Sequence, residues 1–61
     1  MKVIELQTLF DGDQRVAIEK HDGYCLSVME NTYIKDLDKS EYKEYDIDLL
    51  SCGNYELWIR L

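Results

Sequence analysis

Apolar and polar residues alternate along most of this chain, which is the mark of strands with one buried face. In the first such stretch Ile4, Leu6, Thr8 and Phe10 share one side, while Val3, Glu5, Gln7 and Leu9 share the other. Asp11-Gly12-Asp13-Gln14 then has turn composition. Two more strands are predicted after it. Arg15–Lys20 puts Val16 and Ile18 together, and Tyr24–Met29 puts Tyr24, Leu26 and Val28 together. A three-residue loop, His21-Asp22-Gly23, pairs Lys20 with Tyr24, Ile18 with Leu26 and Val16 with Val28. All the large apolar residues then fall on one face. A two-residue Asp22-Gly23 turn splits them, because a slip of one residue turns a whole strand over. Gly23 suits the left-handed residue that commonly ends a three-residue loop.

The last third repeats the design. Tyr55, Leu57, Ile59 and Leu61 alternate with Asn54, Glu56, Trp58 and Arg60, and upstream Tyr45, Ile47 and Leu49 alternate with Glu44, Asp46 and Asp48. A loop of Ser51-Cys52-Gly53 pairs Leu49 with Tyr55, Ile47 with Leu57 and Tyr45 with Ile59, with Gly53 again left-handed. The rival pattern is a helix over 39–52 stopped by Gly53. Tyr42, Tyr45, Leu49 and Cys52 share a helical face, but Ile47 and Leu50 fall off it. Between the hairpins, Asp38 with Glu41 three residues later resembles a capping box and predicts one or two helical turns over 38–43.

The fold class expected is therefore mainly β, a small α+β domain over residues 1–61. It has about five antiparallel strands: a β-meander, a short helical crossover and a C-terminal hairpin. The sheet is expected to curl toward a partly closed barrel, so that its apolar face is covered. The alternative is a four-stranded sheet with one helix at 39–52. The predicted core is Ile18, Leu26, Val28, Ile47, Leu57 and Ile59.

Size narrows the function. A chain of 61 residues buries only roughly 60% of its unfolded surface, which leaves a thin core and little room for an enclosed active site. Candidate chemistry is sparse. Cys25 and Cys52 lack CxxC spacing and read as reduced, half-buried thiols. His21 is the only histidine, too few for a zinc site. Asp36-x-Asp38-x-Ser40 starts like a calcium loop, but Glu41 stands where glycine is needed and Ile47 where a bidentate Glu is needed. Asp11 and Asp13 flank a turn glycine, the commonest turn chemistry. No nucleophile elbow or phosphate cradle occurs. The expectation is a non-enzymatic protein with no cofactor and no metal.

Charge supplies the positive indication. Thirteen acids face seven bases, a net charge of −6. No run approaches the roughly 18 apolar residues of a membrane span, and Met1-Lys2 leads into a mixed stretch rather than a signal-peptide core. A cytoplasmic protein without membrane contact is expected. Direct nucleic-acid binding is disfavoured, since phosphates need a basic patch. Residues 30–48 hold seven acids against three lysines, with Tyr33, Tyr42 and Tyr45 interleaved. The predicted hairpin sets Glu44 opposite Arg60, Asp46 opposite Trp58 and Asp48 opposite Glu56. The candidate partner-binding surface is thus Asp36, Asp38, Glu44, Asp46, Asp48 and Glu56 with Tyr33, Tyr42 and Trp58. It suits a basic protein groove, such as that of a nucleic-acid-binding protein. The composition resembles that of small acidic inhibitors from phages and other mobile elements. The alternative is a structural subunit or homodimer that buries Leu9, Ala17, Met29 and Trp58 against a second chain.

Overall fold

The computed structural model describes residues 1–61. Four strands form one mixed sheet: β1 (Arg15–Asp22), β2 (Cys25–Tyr33), β3 (Leu49–Cys52) and β4 (Glu56–Arg60), in the order β2-β1-β4-β3. The sheet is open, with β2 and β3 at its edges, so the expected barrel closure does not occur. Two 3₁₀ helices, Val3–Thr8 and Ile34–Lys39, pack together on one side of it. The small, mainly β class is as expected, but the all-antiparallel, five-strand layout is not.

The sheet is two antiparallel hairpins joined by a parallel seam between β1 and β4. The seam follows from two matching segments, Arg15-Val16-Ala17-Ile18-Glu19 and Glu56-Leu57-Trp58-Ile59-Arg60. Side by side in parallel, Arg15 meets Glu56, Val16 meets Leu57, Ile18 meets Ile59 and Glu19 meets Arg60. Antiparallel pairing about Ala17 and Trp58 would set Arg15 against Arg60 and Glu19 against Glu56. Like charges across a ladder are unfavourable, so the charge pattern favours the parallel direction.

The first predicted strand is instead the first 3₁₀ helix. Val3 and Leu6 lie three residues apart and are both fully buried. That spacing eclipses side chains on a three-residue turn, and it competes with the strand period in the same letters. The second helix uses the same device with Ile34 and Leu37, also buried. It ends at Lys39, so the helical turns expected over 38–43 and the Asp38–Glu41 capping box do not form, nor does a helix over 39–52. Segment 43–47 instead straps the N-terminus: Val3 N donates to Tyr45 O, Ile4 N to Lys43 O and Ile47 N to Met1 O.

Both hairpin registers differ from expectation. β1 and β2 run on to Asp22 and Cys25 around a two-residue Gly23-Tyr24 turn, with Gly23 at φ +65°. Left-handed backbone at the first central residue fits a tight hairpin turn. A bulge at Met29 then sets Ile18 opposite Glu30, and Glu19 opposite Val28. Leu26 and Val28 therefore face away from the core and are exposed. In the second hairpin Cys52 pairs with Leu57 and Leu50 with Ile59, around Gly53-Asn54-Tyr55. Gly53 does not have positive φ. A side chain there would instead put its Cβ 2.7 Å from Trp58 Nε1, so the glycine makes room for the indole.

The core is Val3, Leu6, Val16, Ile18, Ile34, Leu37, Leu57 and Ile59, with Ile4, Phe10, Tyr42, Ile47 and Leu61 partly buried against it. Ile18, Leu57 and Ile59 match the predicted core, and Ile47 lies at its margin.

Candidate functional site

The strand period gives the sheet two unlike sides. Val16, Ile18, Leu57 and Ile59 face the helices. Alternate residues face the other way, and no helix covers them. By register, this bare side carries Arg15, Ala17, Glu19 and His21 from β1, and Glu56, Trp58 and Arg60 from β4. β2 adds Tyr33, Asn31, Val28 and Leu26, and β3 adds Leu49 and Ser51. Leu26, Val28, Tyr33 and Leu49 are exposed there, Glu56, Trp58 and Arg60 are half-buried, and Ala17 and Glu19 are buried by their neighbours on the sheet.

The predicted acidic-aromatic surface is divided between the two sides. Trp58, Glu56 and Tyr33 lie on the bare sheet side. Asp36 and Asp38 belong to the second 3₁₀ helix. Glu44 and Asp46 lie in the segment that straps the N-terminus, where Glu44 accepts a hydrogen bond from Lys2 Nζ at 3.1 Å and Asp46 bridges to Lys2 through its backbone. Asp48 leads into β3, and its N–H donates to Arg60 O at 2.7 Å. Tyr42 packs on the core margin and meets Tyr45 edge to face at 5.4 Å. The expected crowding of Asp46, Asp48 and Glu56 does not arise, because the register puts Asp48 and Glu56 at opposite ends of β4. The Glu44–Arg60 pair is likewise replaced by Glu44–Lys2.

Charge is segregated between the sides. The bare side carries two arginines and two glutamates, so it is balanced. Eleven of the 13 acids and five of the seven Lys and Arg lie elsewhere, so all six excess negative charges are off that side. Asp38, Glu41, Glu44, Asp46 and Asp48 are exposed. Glu30 is withdrawn from this set: it turns inward and accepts a 2.9 Å hydrogen bond from the buried Ser40 hydroxyl. Three ion pairs offset the acids, Lys2–Glu44, Lys35–Asp13 and Lys39–Asp36, all at the surface. The hydrogen bond to Glu44, and then its charge, hold Lys2 above its usual pKa of 10.5.

The chemistry of the clefts is limited. One of about 320 Å³ is lined by Arg15, Asn54, Tyr55, Glu56 and Trp58. A second of about 470 Å³ is lined by Lys20, His21, Asp22, Ser27 and Met29. The second has serine, histidine and aspartate, but no hydrogen bond joins them. The ladder pairs Ser27 with Lys20 rather than His21, so Ser27 and His21 leave the sheet on opposite sides. Nucleophilic catalysis needs those groups in hydrogen-bond reach with a base–nucleophile order. No group of three or more His, Cys, Asp or Glu side chains is placed to hold a metal ion. Both cysteines are free and exposed, not half-buried, and they lie on opposite edge strands. No helix is long and apolar enough to cross a membrane.

Arg15 and Glu19 are absent from the surface expected from the sequence, and Arg60 enters it only as the partner of Glu44. Their signal was the mirrored pattern of 15–19 and 56–60, which fixes both the seam and the charges beside Trp58. Comparison with protein-family models, with curated proteins and with solved structures finds no match.

Proposed function

We propose that this protein is a non-enzymatic acidic binding domain whose helical side occupies a basic groove of a partner protein, of the kind that otherwise holds nucleic acid. The observation that carries the reading is the segregation of charge: the whole excess of six negative charges lies off the balanced sheet side. Asp36, Asp38, Glu41, Glu44 and Asp46 stand on or beside two short helices, with the Tyr42–Tyr45 pair among them. Carboxylates on a small convex body imitate phosphates, and the tyrosines add apolar area and ring faces for lysine or arginine. Trp58 and Glu56, on the far side, drop out of this surface.

The test is recovery of partners from the source cell on the immobilised protein, followed by competition of the captured partner against duplex DNA. The expected result is a basic partner that releases DNA, with affinity falling steeply as salt rises. Asp38→Lys with Asp46→Lys is expected to cut that affinity at least tenfold while the melting temperature holds. Binding indifferent to salt and to both substitutions would sink the reading.

A further inference from the structure

On the bare sheet side four charges surround Trp58 in a checkerboard. Arg15 and Glu56 are neighbours at one end of the seam, and Glu19 and Arg60 are neighbours at the other. The arginines therefore occupy one diagonal and the glutamates the other, with Ala17 and Trp58 between the ends. We propose that a second copy of this chain packs on this face, related by a two-fold axis lying in the plane between the two sheets.

The charge pattern is self-complementary under that operation. With the axis along the strands, Arg15 of each copy lies over Glu56 of the other, and Arg60 over Glu19. With the axis across the strands, Arg15 lies over Glu19 and Glu56 over Arg60. With the axis through the centre of the checkerboard, every charge lies over one of opposite sign and none over a like charge; Glu56 meets its arginine at the surface, and Glu19, 7% exposed in the lone chain, meets its own from a buried position. A basic or acidic partner would meet two repulsive charges for every two attractive ones, so the face is not built for a strongly charged ligand. An isologous contact is also the commonest form of association.

Two further observations agree. The flanks of the checkerboard carry apolar residues, Leu26, Val28 and Tyr33 on β2 and Leu49 on β3, all 40–49% exposed. Single exposed apolar residues are ordinary, but several gathered on one sheet face mark an interaction surface. The area is adequate: four strands roughly 4.8 Å apart present on the order of 500 Å² in projection. That projection is of the same order as the roughly 600 Å² per partner at the low end of specific interfaces. Two such faces stack as a sandwich about 10 Å apart. This surface is separate from the acidic one, so either proposal stands if the other falls.

Trp58 is the only tryptophan, so the unaltered chain reports on its own interface. Sedimentation equilibrium over micromolar to millimolar protein is expected to show a species of twice 7.3 kDa. The Trp58 emission is expected to shift to the red on dilution, with the same midpoint. A monomer throughout, or a dimer whose dissociation leaves Trp58 emission unchanged, overturns the proposal. The second arm uses two charge variants, Arg15→Glu with Arg60→Glu, and Glu19→Arg with Glu56→Arg. Each alone is expected to lose at least a hundredfold in self-association, and an equimolar mixture to recover a heterodimer. Variants that fold and still self-associate as the parent does refute the checkerboard. If either fails to fold, the Trp58 dilution measurement decides alone.

Discussion

On the helical side of the sheet, Val16, Ile18, Leu57 and Ile59 disappear beneath Val3, Leu6, Ile34 and Leu37. One residue along the same strands, Arg15, Glu56, Trp58 and Arg60 stand on a side that no helix covers, around the buried Ala17 and Glu19. Both sides come from one alternation, yet they differ in how much each residue matters to the lone chain. The covered side gains its stability from removing apolar area from water, at roughly 25 cal/mol per Å². The bare side keeps apolar residues half in water and arranges charge instead. A protein folded only for its own stability would place polar residues there, as antiparallel sheets with one solvated face commonly do.

The sharpest way to break this contrast is truncation on each side. Leu37→Ala is expected to cost about 2–5 kcal/mol, as for buried leucines generally. In a domain of this size, with total stability of order 5 kcal/mol, that unfolds much of the population. Leu26→Ala, on the bare side, is expected to stay within about 0.5 kcal/mol in dilute protein. Urea melts of the two variants check this, and equal losses would erase the distinction between the sides.

The two hairpin glycines offer a finer test. Gly23→Ala and Gly53→Ala are each expected to cost about 1 kcal/mol or more, for different reasons. Gly23 needs its positive φ, whereas Gly53 needs space for the Trp58 indole. In a Trp58→Ala background the Gly53 penalty should largely vanish while the Gly23 penalty persists. Double-mutant cycles measure that coupling. Independent penalties at Gly53 and Trp58 would mean that the indole does not depend on that glycine.

A smaller effect tests the seam. Arg15→Glu sets like charges beside Glu56 and is expected to cost about 0.2–1 kcal/mol. Adding Glu56→Arg should restore the loss in thermal melts at low protein concentration. The smallest effect belongs to the N-terminal strap. Lys2 has a raised pKa in the folded chain, so its pairing with Glu44 helps fully below about pH 10.5, the unfolded value. That help is lost as pH rises through the higher folded value. The melting-temperature difference between the parent and Lys2→Gln should be constant at neutral pH and shrink above pH 10.5.

Much of the fold was legible in the letters, and the errors are instructive. The strands at 15–20 and 56–60 and the buried Ile18, Leu57 and Ile59 follow from period two alone. Val3-Ile4-Glu5-Leu6 satisfies both the strand period and the three-residue period of a 3₁₀ turn, and packing against Ile34 and Leu37 decides between them. The hairpin registers depart from the expected ones because the large apolar residues of β2 do not all face the covered side. Glu30 and Thr32 take the inward positions of β2 instead, Glu30 answered by Ser40. The acidic surface was legible as composition but not as a place, because assigning Trp58 to it required a register that the chain does not adopt. The checkerboard was present in the sequence as two mirrored five-residue segments, and reading their charges as ladder partners would have found it.

The parallel seam also sets an order of events in time. Each hairpin closes a loop of two or three residues, a microsecond event. The seam joins Arg15 to Glu56 and can close only when some forty residues have been brought round, at the entropic cost of a long loop. Its residues are thus expected to consolidate late. Leu57→Ala should act mainly by speeding unfolding, whereas Gly23→Ala, in a local turn, should slow refolding. Until the seam closes, β4 remains free to meet β1 of another chain, so the pace of that one step governs whether two chains exchange their C-terminal hairpins during refolding.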